Sequence, residues 1–341
     1  MIKEFTININ EDQITNIKSK IEHYPWSSIE NMEGWTHGTS KKYLKELCDY
    51  WVKEFNWKKH EQLINSFKNY KTNVDGVDIH FIKEEGSGEN PKTLLLLHGW
   101  PGSVVEFLET IKPLAHPEEF GGNINDAFTI IAPSLPGFGF SGAPKEPIGP
   151  RKIAEILNKM MIENLNYNQY VAQGGDWGAT ICNWLGFDHS TKCKAIHINC
   201  LTMRLLDGPQ TKEEIDWQNK FDQDQIIQDG YRTIQATKPQ TLAYSMIDSP
   251  VGIAAWIIEK MHGWSDLKDN NIESVYSKDV LLANIMVYVL TNTFNTASWI
   301  YFGRREEGGR YFPKEFKKIT IPTGIATVSY THLTLPTILR V

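Results

Sequence analysis

The chain has 341 residues, with 35 lysines and arginines against 41 aspartates and glutamates and a net charge of −6. This length allows a sizeable core and corresponds to about two domains of roughly 150 residues. The acidic balance, without any block of basic residues, argues against a nucleic-acid or anionic-membrane surface, because both need clustered lysine and arginine. With 41% hydrophobic and 22% charged residues, the composition is that of an ordinary globular protein.

Membrane segments and cysteine chemistry are not indicated. The start of the chain lacks an apolar stretch, which predicts neither a signal peptide nor a leading membrane anchor. The longest apolar run, residues 280–290, contains Asn284 and is shorter than the roughly 18 residues of a spanning helix. The four cysteines form no C-x-x-C pair and have no metal-like spacing with histidine. We therefore expect a cytoplasmic protein with buried, reduced thiols and no bound metal.

The first 82 residues predict a mainly helical segment. Apolar residues recur at helical spacing in two stretches, and a turn-like N-V-D-G-V sequence at residues 73–77 precedes a strand at 77–82. The periodic positions are Ile14, Ile17 and Ile21, then Leu44, Leu47 and Trp51. We expect a helical N-terminal domain, residues 1–85, ahead of the main fold.

From residue 86 the pattern alternates between strands and helices. The apolar run at 93–97 predicts a strand that is buried on both faces. Further strands are expected at 128–133, 170–173 and 195–199, and helices at 104–114, 153–165 and 178–187. Parallel strands joined by such helices need crossover connections. The sequence therefore predicts an α/β fold, a mostly parallel sheet with helices on both faces.

The alternation stops after Leu201 and resumes near residue 319. The intervening part is helical in periodicity and rich in tryptophan, which indicates a helical lid over the carboxyl ends of the strands, where such sheets bind ligands. The predicted divisions are 1–85 (N-terminal domain), 86–204 (first part of the core), 205–302 (lid) and 303–341 (core resumed but incomplete).

The sharpest chemical signal is Q-G-G-D-W-G at residues 173–178, where a predicted strand meets a helix. Small residues flank Asp176, as in a nucleophile elbow, whose tight turn exposes one side chain above the sheet. An ionised aspartate needs no base to attack an electrophilic carbon and would form a covalent ester. The alternative is an aspartate that caps the helix. No G-x-S-x-G occurs, so a serine hydrolase would lack its nucleophile.

Two further segments follow the neighbouring strands. H-G-W-P-G-S at residues 98–103 comes directly after the 93–97 strand, and G-F-G-F-S at 137–141 comes after the next. In α/β-hydrolases, the first of these loops donates a backbone N–H to an oxyanion hole, and the residue after the nucleophile, here Trp177, donates the second. We expect Pro101 to pre-set the turn and His98 to orient the loop without acting as a base.

With these motifs in place, the chain resembles the microsomal-type epoxide hydrolases, including the juvenile hormone epoxide hydrolases. The N-terminal segment, from residues 5–7 to 77–81, is similar to the N-terminal domain of that family, and residues 230–241 and 248–260 match its lid signatures. The likeness extends over about residues 1–326. It implies an α/β-hydrolase fold and an enzyme that converts an epoxide and water to a vicinal diol, without a cofactor.

The resemblance also implies roles for individual residues. It makes Asp176 the nucleophile, Tyr231 and Tyr301 the lid phenols that protonate the leaving oxygen, and the backbone N–H groups of Trp100 and Trp177 the oxyanion hole. The supporting loop and elbow residues are His98, Gly99, Pro101, Gly174, Gly175 and Gly178. Four further aromatic residues are expected as pocket wall or core and would favour a bulky apolar substrate: Tyr244, Trp256, Trp264 and Trp299. The expected substrates are a small apolar or aromatic epoxide and water.

The end of the chain departs from the family pattern, which needs a carboxylate after the strand near residue 319 and a histidine after one further strand. Residues 329–341 do not resemble the family, and His332 comes too soon after the strand to reach Asp176. We interpret the tail as a truncation or an aberrant end. Asp176 could then be limited to ester formation, because hydrolysis needs a base-activated water.

Two alternatives remain open. A haloalkane dehalogenase shares an aspartate elbow followed by tryptophan, but its halide leaving group has no use for paired lid tyrosines. A non-catalytic binder of hydrophobic ligands would keep the pocket and lid without turnover. Tyr231 and Tyr301 favour the epoxide hydrolase.

Overall fold

The computed structural model describes residues 1–315 and 318–326. The strands are β1 (Ile2–Glu4), β2 (Lys68–Val74), β3 (Val77–Glu84), β4 (Lys92–Leu97), β5 (Phe128–Pro133), β6 (Tyr170–Gly174), β7 (Cys193–Ile198) and β8 (Thr323–Ile325). The α-helices are α1 (Glu11–Glu22), α2 (Lys41–Lys53), α3 (Trp57–Asn65), α4 (Leu108–Ala115), α5 (Pro150–Lys159), α6 (Asp176–Asp188), α7 (Lys212–Gln228), α8 (Gly230–Thr237), α9 (Pro239–Met246), α10 (Pro250–Gly263), α11 (Lys278–Thr291) and α12 (Phe294–Glu306).

All eight strands join one sheet in the order β1-β2-β3-β5-β4-β6-β7-β8. The first three strands and the β3–β5 pair are antiparallel, and the strands from β5 to β8 are parallel. Helix α6 packs on β6 and β7, and α4 packs on β5. The α/β architecture predicted from the sequence is confirmed.

The centre of the sheet brings two predicted motifs together. Leu94 to Leu97 of β4 are buried, as expected for a strand covered on both faces. Leu97 lies opposite Gly174 of β6 in the parallel register. Because parallel strands end at the same edge, the loop after β4 and the turn after β6 are neighbours.

The N-terminal segment contains more strand than the sequence predicted. Its helices α1 to α3 are accompanied by β1 and β2, and β2 forms a hairpin with β3 through Asp75 and Gly76, both at positive φ. Strand β2 has the sequence K-N-Y-K-T-N-V, which carries little apolar signal. Its pairing with β3, from Lys68 opposite Lys83 to Val74 opposite Val77, decides its structure.

The lid lies between β7 and β8 and comprises α7 to α12. Its last helix ends at Glu306, beyond the predicted boundary at residue 302. The lid is hydrogen-bonded to the loop after β4: the Asn284 amide donates to the Pro101 carbonyl at 2.6 Å, and the Tyr288 hydroxyl donates to the Gly102 carbonyl at 2.6 Å. The lid therefore fixes the position of this loop.

The N-terminal helices also contact the lid. Gln13 donates to the Leu290 carbonyl at 2.8 Å, and the Tyr50 hydroxyl donates to Asp279 at 3.1 Å. The Trp35 and His262 rings stack with centroids 3.8 Å apart. These contacts attach the N-terminal segment to the lid.

In the described part of the chain, no single helix combines the length and apolar character needed to cross a bilayer. Two consecutive lid helices, Lys278–Thr291 and Phe294–Glu306, reach that length and composition only together, and they are bent by 91° at their junction.

Candidate active site

Asp176 lies at the first position of α6, directly after β6 and the N-cap residue Gly175. Its φ of +46° is in the left-handed region, which a non-glycine residue adopts only under the constraint of its surroundings. A Cβ on Gly178 would lie 1.9 Å from the Leu97 carbonyl oxygen, and one on Gly174 would lie 2.3 Å from the Gly178 carbonyl carbon. These glycines allow α6 to start close against β4 and β6, which forms the predicted elbow.

The loop after β4 covers the Asp176 carboxylate. The Trp100 N–H donates to Oδ1 at 2.9 Å, and the Trp177 N–H also donates to the carboxylate. A Cβ on Gly99 would lie 2.4 Å from the same Oδ1, so this close approach needs glycine. Pro101 follows Trp100 in a cis peptide. The structure thus places both N–H donors of the predicted oxyanion hole at the predicted nucleophile.

The ionisation of Asp176 is set by opposing effects. Burial raises the pKa of the carboxyl group, and the N–H donors of Trp100 and Trp177 and the charge of Arg304 lower it. Hydrogen bonds and a nearby cation favour the charged form. Burial is the larger effect and the pKa is raised overall, so the two N–H donors and Arg304 offset part of the penalty that burial places on the ionised carboxylate.

His98 is fully buried, and both of its ring nitrogens are engaged. Nδ1 donates to the Gly99 carbonyl at 3.0 Å, and Nε2 accepts the Leu135 N–H at 3.0 Å; we assign this tautomer from the two bonds. Burial lowers the pKa of His98 to about 4. A neutral ring with both nitrogens bonded joins the loops after β4 and β5, and it has no free position from which to accept a proton.

Tyr231, at the start of α8, and Tyr301, in α12, meet above the elbow. Their ring centroids are 5.8 Å apart. The Tyr231 ring stacks on Trp100 at 5.2 Å, and the Tyr301 ring lies edge-on to Trp177 at 4.6 Å. Burial, followed by nearby negative charge, raises the pKa of both phenols. The phenols are therefore protonated at neutral pH and can donate hydrogen bonds.

A cavity of about 660 Å³ adjoins these groups. Its lining includes Asp176, Tyr231, Tyr301 and Trp264. Of the other aromatic residues expected as wall or core, Trp256 is partly buried against the core, where its indole donates to Gln235 at 2.9 Å. Tyr244 is 75% exposed, so its expected place in the wall or core is wrong: it lies on the outer side of α9.

The sequence does not single out Arg304, which the structure places beside the elbow. Its Nη2 donates to the Thr202 carbonyl at 2.7 Å, and its Cζ lies 5.1 Å from the Trp177 ring centroid. The signal that could have identified it is its spacing. Arg304 is three residues after Tyr301 on the same helix, and residues three apart share a helix face.

Glu106 and His197 are also absent from the predicted site. The Glu106 carboxylate lies over Gly102, where an added Cβ would be 2.2 Å from Oε2. Desolvation of its carboxyl group, followed by the charge of Asp176, raises the pKa of Glu106. His197, near the end of β7, lines the same cavity as Asp176. A single glutamate or histidine in such patterns carries no signal in the sequence.

The predicted aberrant tail, with His332, lies outside the described residues.

The four cysteines are free thiols. Three are buried and Cys200 is half-buried, and burial raises the pKa of each, as expected for reduced, unreactive thiols.

Comparison with known proteins agrees with this geometry. Residues 2–107 match the model of the epoxide hydrolase N terminus, and residues 92–245 match that of the alpha/beta hydrolase fold. A relative from Stigmatella aurantiaca is 37% identical over 95% of this chain and 73% of its own length. Epoxide hydrolase 1 from Oryctolagus cuniculus is 32% identical over 95% of this chain and 77% of its own length.

Solved structures give the same result. Juvenile hormone epoxide hydrolase from Bombyx mori aligns with a TM-score of 0.83 and 28% identity over 95% of this chain and 82% of that chain. The Aspergillus niger epoxide hydrolase aligns with a TM-score of 0.78 and 25% identity over 96% and 83%. The resemblance seen in the sequence is thereby confirmed, and the chain belongs to the epoxide hydrolase family.

Proposed function

We propose that Asp176 opens an epoxide by direct attack on one of its ring carbons, giving a covalent glycol ester that water then hydrolyses to a vicinal diol. The observation that carries the proposal is the position of the Asp176 carboxylate. It accepts the Trp100 N–H at 2.9 Å and lies beside the cavity lined by Tyr231 and Tyr301. This combination supplies a nucleophile and two proton donors for the oxygen that leaves.

In the first half-reaction, a carboxylate oxygen of Asp176 forms a bond to a ring carbon, and the bond from that carbon to the epoxide oxygen breaks. The negative charge moves to the released oxygen. Hydrogen bonds from Tyr231 and Tyr301 stabilise that charge, and one phenol transfers its proton to the oxygen. Ester formation thus uses groups that are present among the described residues.

In the second half-reaction, water attacks the ester carbonyl, and negative charge develops on the carbonyl oxygen. The N–H groups of Trp100 and Trp177 are placed to bind that oxygen. The water also needs a base. Glu106 and His197 are the titratable groups near Asp176 that remain to be tested for this role.

We further propose small apolar or aromatic epoxides as the substrates. The rings of Tyr231, Trp264 and Phe221 line the cavity beside the nucleophile. Aromatic walls bind apolar groups by excluding water and by stacking.

One observation is in favour of the haloalkane dehalogenase alternative. The indole Nε1 atoms of Trp100 and Trp177 are buried and have no acceptor in hydrogen-bond geometry among the described residues. A halide leaving group accepts such N–H donors, and a buried donor without an acceptor costs about 1–3 kcal/mol. The paired phenols favour the epoxide, because they supply the proton that an alkoxide needs and a halide does not.

The test is intact-protein mass spectrometry after incubation with styrene oxide, with diol formation followed in parallel. Asp176→Asn removes the nucleophile with little change in shape, and Asp248→Asn, on the exposed lid surface, is the matched control. 1-Bromobutane serves as the dehalogenase probe. We expect diol, or an adduct of one styrene oxide mass, from wild type and Asp248→Asn but not from Asp176→Asn.

An adduct that persists would show that ester formation outruns hydrolysis in this chain. Diol without an adduct would show an active base, to be sought first with Glu106→Gln and His197→Asn. An adduct with 1-bromobutane and none with styrene oxide would contradict the proposal in favour of the dehalogenase. Reversible binding of styrene oxide without adduct or diol would contradict it in favour of the non-catalytic binder.

A further inference from the structure

Four arginines line the same cavity as the nucleophile. They are Arg204, Arg232, Arg304 and Arg310, and Asp176 is the one carboxylate among the described residues of that lining. Low-dielectric walls that carry one sign of charge focus the electric field and concentrate ions of the opposite sign. The lining of this cavity is therefore mainly cationic, although the chain as a whole is acidic.

Among the described residues, one of the four arginines has an ion-pair partner: Arg232 forms a salt bridge with Asp229. Arg304 instead donates to two backbone carbonyls, those of Thr202 at 2.7 Å and Gly309 at 3.3 Å, and no carboxylate of a described residue pairs with it. Carbonyl groups satisfy its hydrogen bonds but leave its full positive charge in place.

The guanidinium groups of Arg204 and Arg310 both lie against the same aromatic ring. Their Cζ atoms lie 4.7 Å and 5.5 Å from the ring centroid of Phe221. Arg204 donates to the Gln218 amide oxygen at 2.5 Å. A guanidinium has five N–H donors, so this single bond leaves most donors of Arg204 for other partners. The Phe221 ring thus holds two cations at the cavity wall.

The positive charge of Arg304 persists at neutral pH. Burial and the charge of Arg232 lower the pKa of Arg304 to about 10, which still leaves it cationic near pH 7.

We infer that the arginine-lined part of this cavity is a subsite for an anionic group, a carboxylate or sulfate. The substrate carries this group at the end remote from its epoxide ring. Arg304 and Arg204 bind the anion, and Arg310, beside Phe221, adds to the positive field. The epoxide lies at Asp176 and the two phenols. The inference rests on the proposed function and narrows its substrate class to aromatic or apolar epoxides with an acidic group.

The experiment compares an acid with its own neutral ester. 4-(Oxiran-2-yl)benzoic acid and its methyl ester have the same epoxide and ring and differ in charge. For each compound, the observed rate constant of adduct or diol formation is measured and divided by the substrate concentration. This gives the second-order rate constants that are compared. We expect the acid to react about tenfold faster, which corresponds to about 1.4 kcal/mol, because only the acid offers the arginines a charged hydrogen-bond acceptor.

Substitutions test whether the arginines bind the anionic group of the acid or affect the reaction of both compounds alike. Arg304→Met and Arg310→Met should bring the acid-to-ester ratio towards one, and Arg304→Lys should keep much of it. Arg305→Met is the matched control, because Arg305 follows directly in α12 but is exposed and pairs with Glu306. It should leave the ratio unchanged. Circular dichroism of each variant verifies folding, and Arg310→Met keeps the test valid should Arg304→Met unfold.

Equal rates for acid and ester in the wild type would overturn the inference. So would Arg304→Met and Arg310→Met slowing acid and ester equally, because the arginines would then act on Asp176 and not on the substrate. Binding of the unreactive 4-vinylbenzoate and its methyl ester, measured by calorimetry, distinguishes the two proposals. Tighter binding of the acid without any reaction of the epoxides would support the subsite and refute the proposed function.

Discussion

Replacing Gly178 with alanine tests directly how the elbow is built. The added Cβ would lie 1.9 Å from the carbonyl oxygen of Leu97 and 2.6 Å from its carbonyl carbon. Both atoms belong to the backbone of β4 in the middle of the sheet, so they cannot rotate away as a flexible side chain could. To restore an ordinary contact, the start of α6 must move by about 1.5 Å in a close-packed interior.

This displacement should reduce both stability and rate. Overpacking of a core costs about 1–3 kcal/mol, which corresponds to a fall in Tm of roughly 2–12 °C for a domain of this size. The same movement takes the Asp176 carboxylate away from the Trp100 N–H, which now donates to it at 2.9 Å. Misplacing a reacting group by about 1 Å can cost 10²-fold in rate, so ester formation should slow about 100-fold.

Thermal unfolding by circular dichroism and the single-turnover rate with styrene oxide measure the two effects. Gly230→Ala is the control, because Gly230 begins α8 in the lid, has ordinary backbone angles and has no atom within 4 Å of an added Cβ. Its Tm and rate should stay near those of the wild type. A Gly178→Ala protein with unchanged Tm and rate would refute the elbow geometry described above.

Three further predictions concern the phenols, a buried histidine and a buried carboxylate. Tyr231→Phe combined with Tyr301→Phe should slow ester formation by about 10²–10³, measured by rapid-quench mass spectrometry, while binding of 4-vinylbenzoate changes little. Because burial lowers the pKa of His98 to about 4, the unfolded chain binds a proton between pH 6.5 and 4 that the folded chain does not. This residue's contribution to the unfolding free energy should be complete above about pH 6.5 and fall by roughly 3 kcal/mol towards pH 4, a loss that urea denaturation should show reduced in His98→Gln. Glu61 is 7% exposed and accepts the Trp57 indole N–H at 3.1 Å and a backbone N–H from Ile9 at 2.9 Å. Glu61→Ala should therefore lower the unfolding free energy by about 3 kcal/mol, whereas Asp49→Ala, at an exposed pair, should change it by less than about 1 kcal/mol.

Several elements were predictable because their signals are local. The run of leucines in β4 has no polar face, so it had to be covered on both sides. The small residues around Asp176 indicated a tight turn from strand to helix. Strand β2 was missed because its polar sequence carries no local signal. Only its pairing with β3 makes it a strand.

The site was predictable in part. Asp176, Trp100 and Trp177 belong to motifs at strand ends, and the register of Leu97 opposite Gly174 brings those motifs together. The meeting of Tyr231 with Tyr301 followed from the family resemblance, because no periodicity relates two lid helices so far apart in the chain. Tyr244 shows the limit of that reasoning, since the same aromatic character in the lid leaves its side chain in solvent.

The sequence by itself determined the order of the chemistry along the chain: an α/β sheet, an aspartate at an elbow, a donor loop before it and a lid after it. These features depend on periodicity and turn residues, which act over a few positions. Only the tertiary structure decided that Arg304 lies beside the elbow, that four arginines line the same cavity as Asp176, and that Asn284 of the lid donates to the Pro101 carbonyl. The reason is physical: the position of a charge or a phenol above the nucleophile depends on how the lid packs on the sheet, and this packing depends on contacts between residues more than a hundred positions apart.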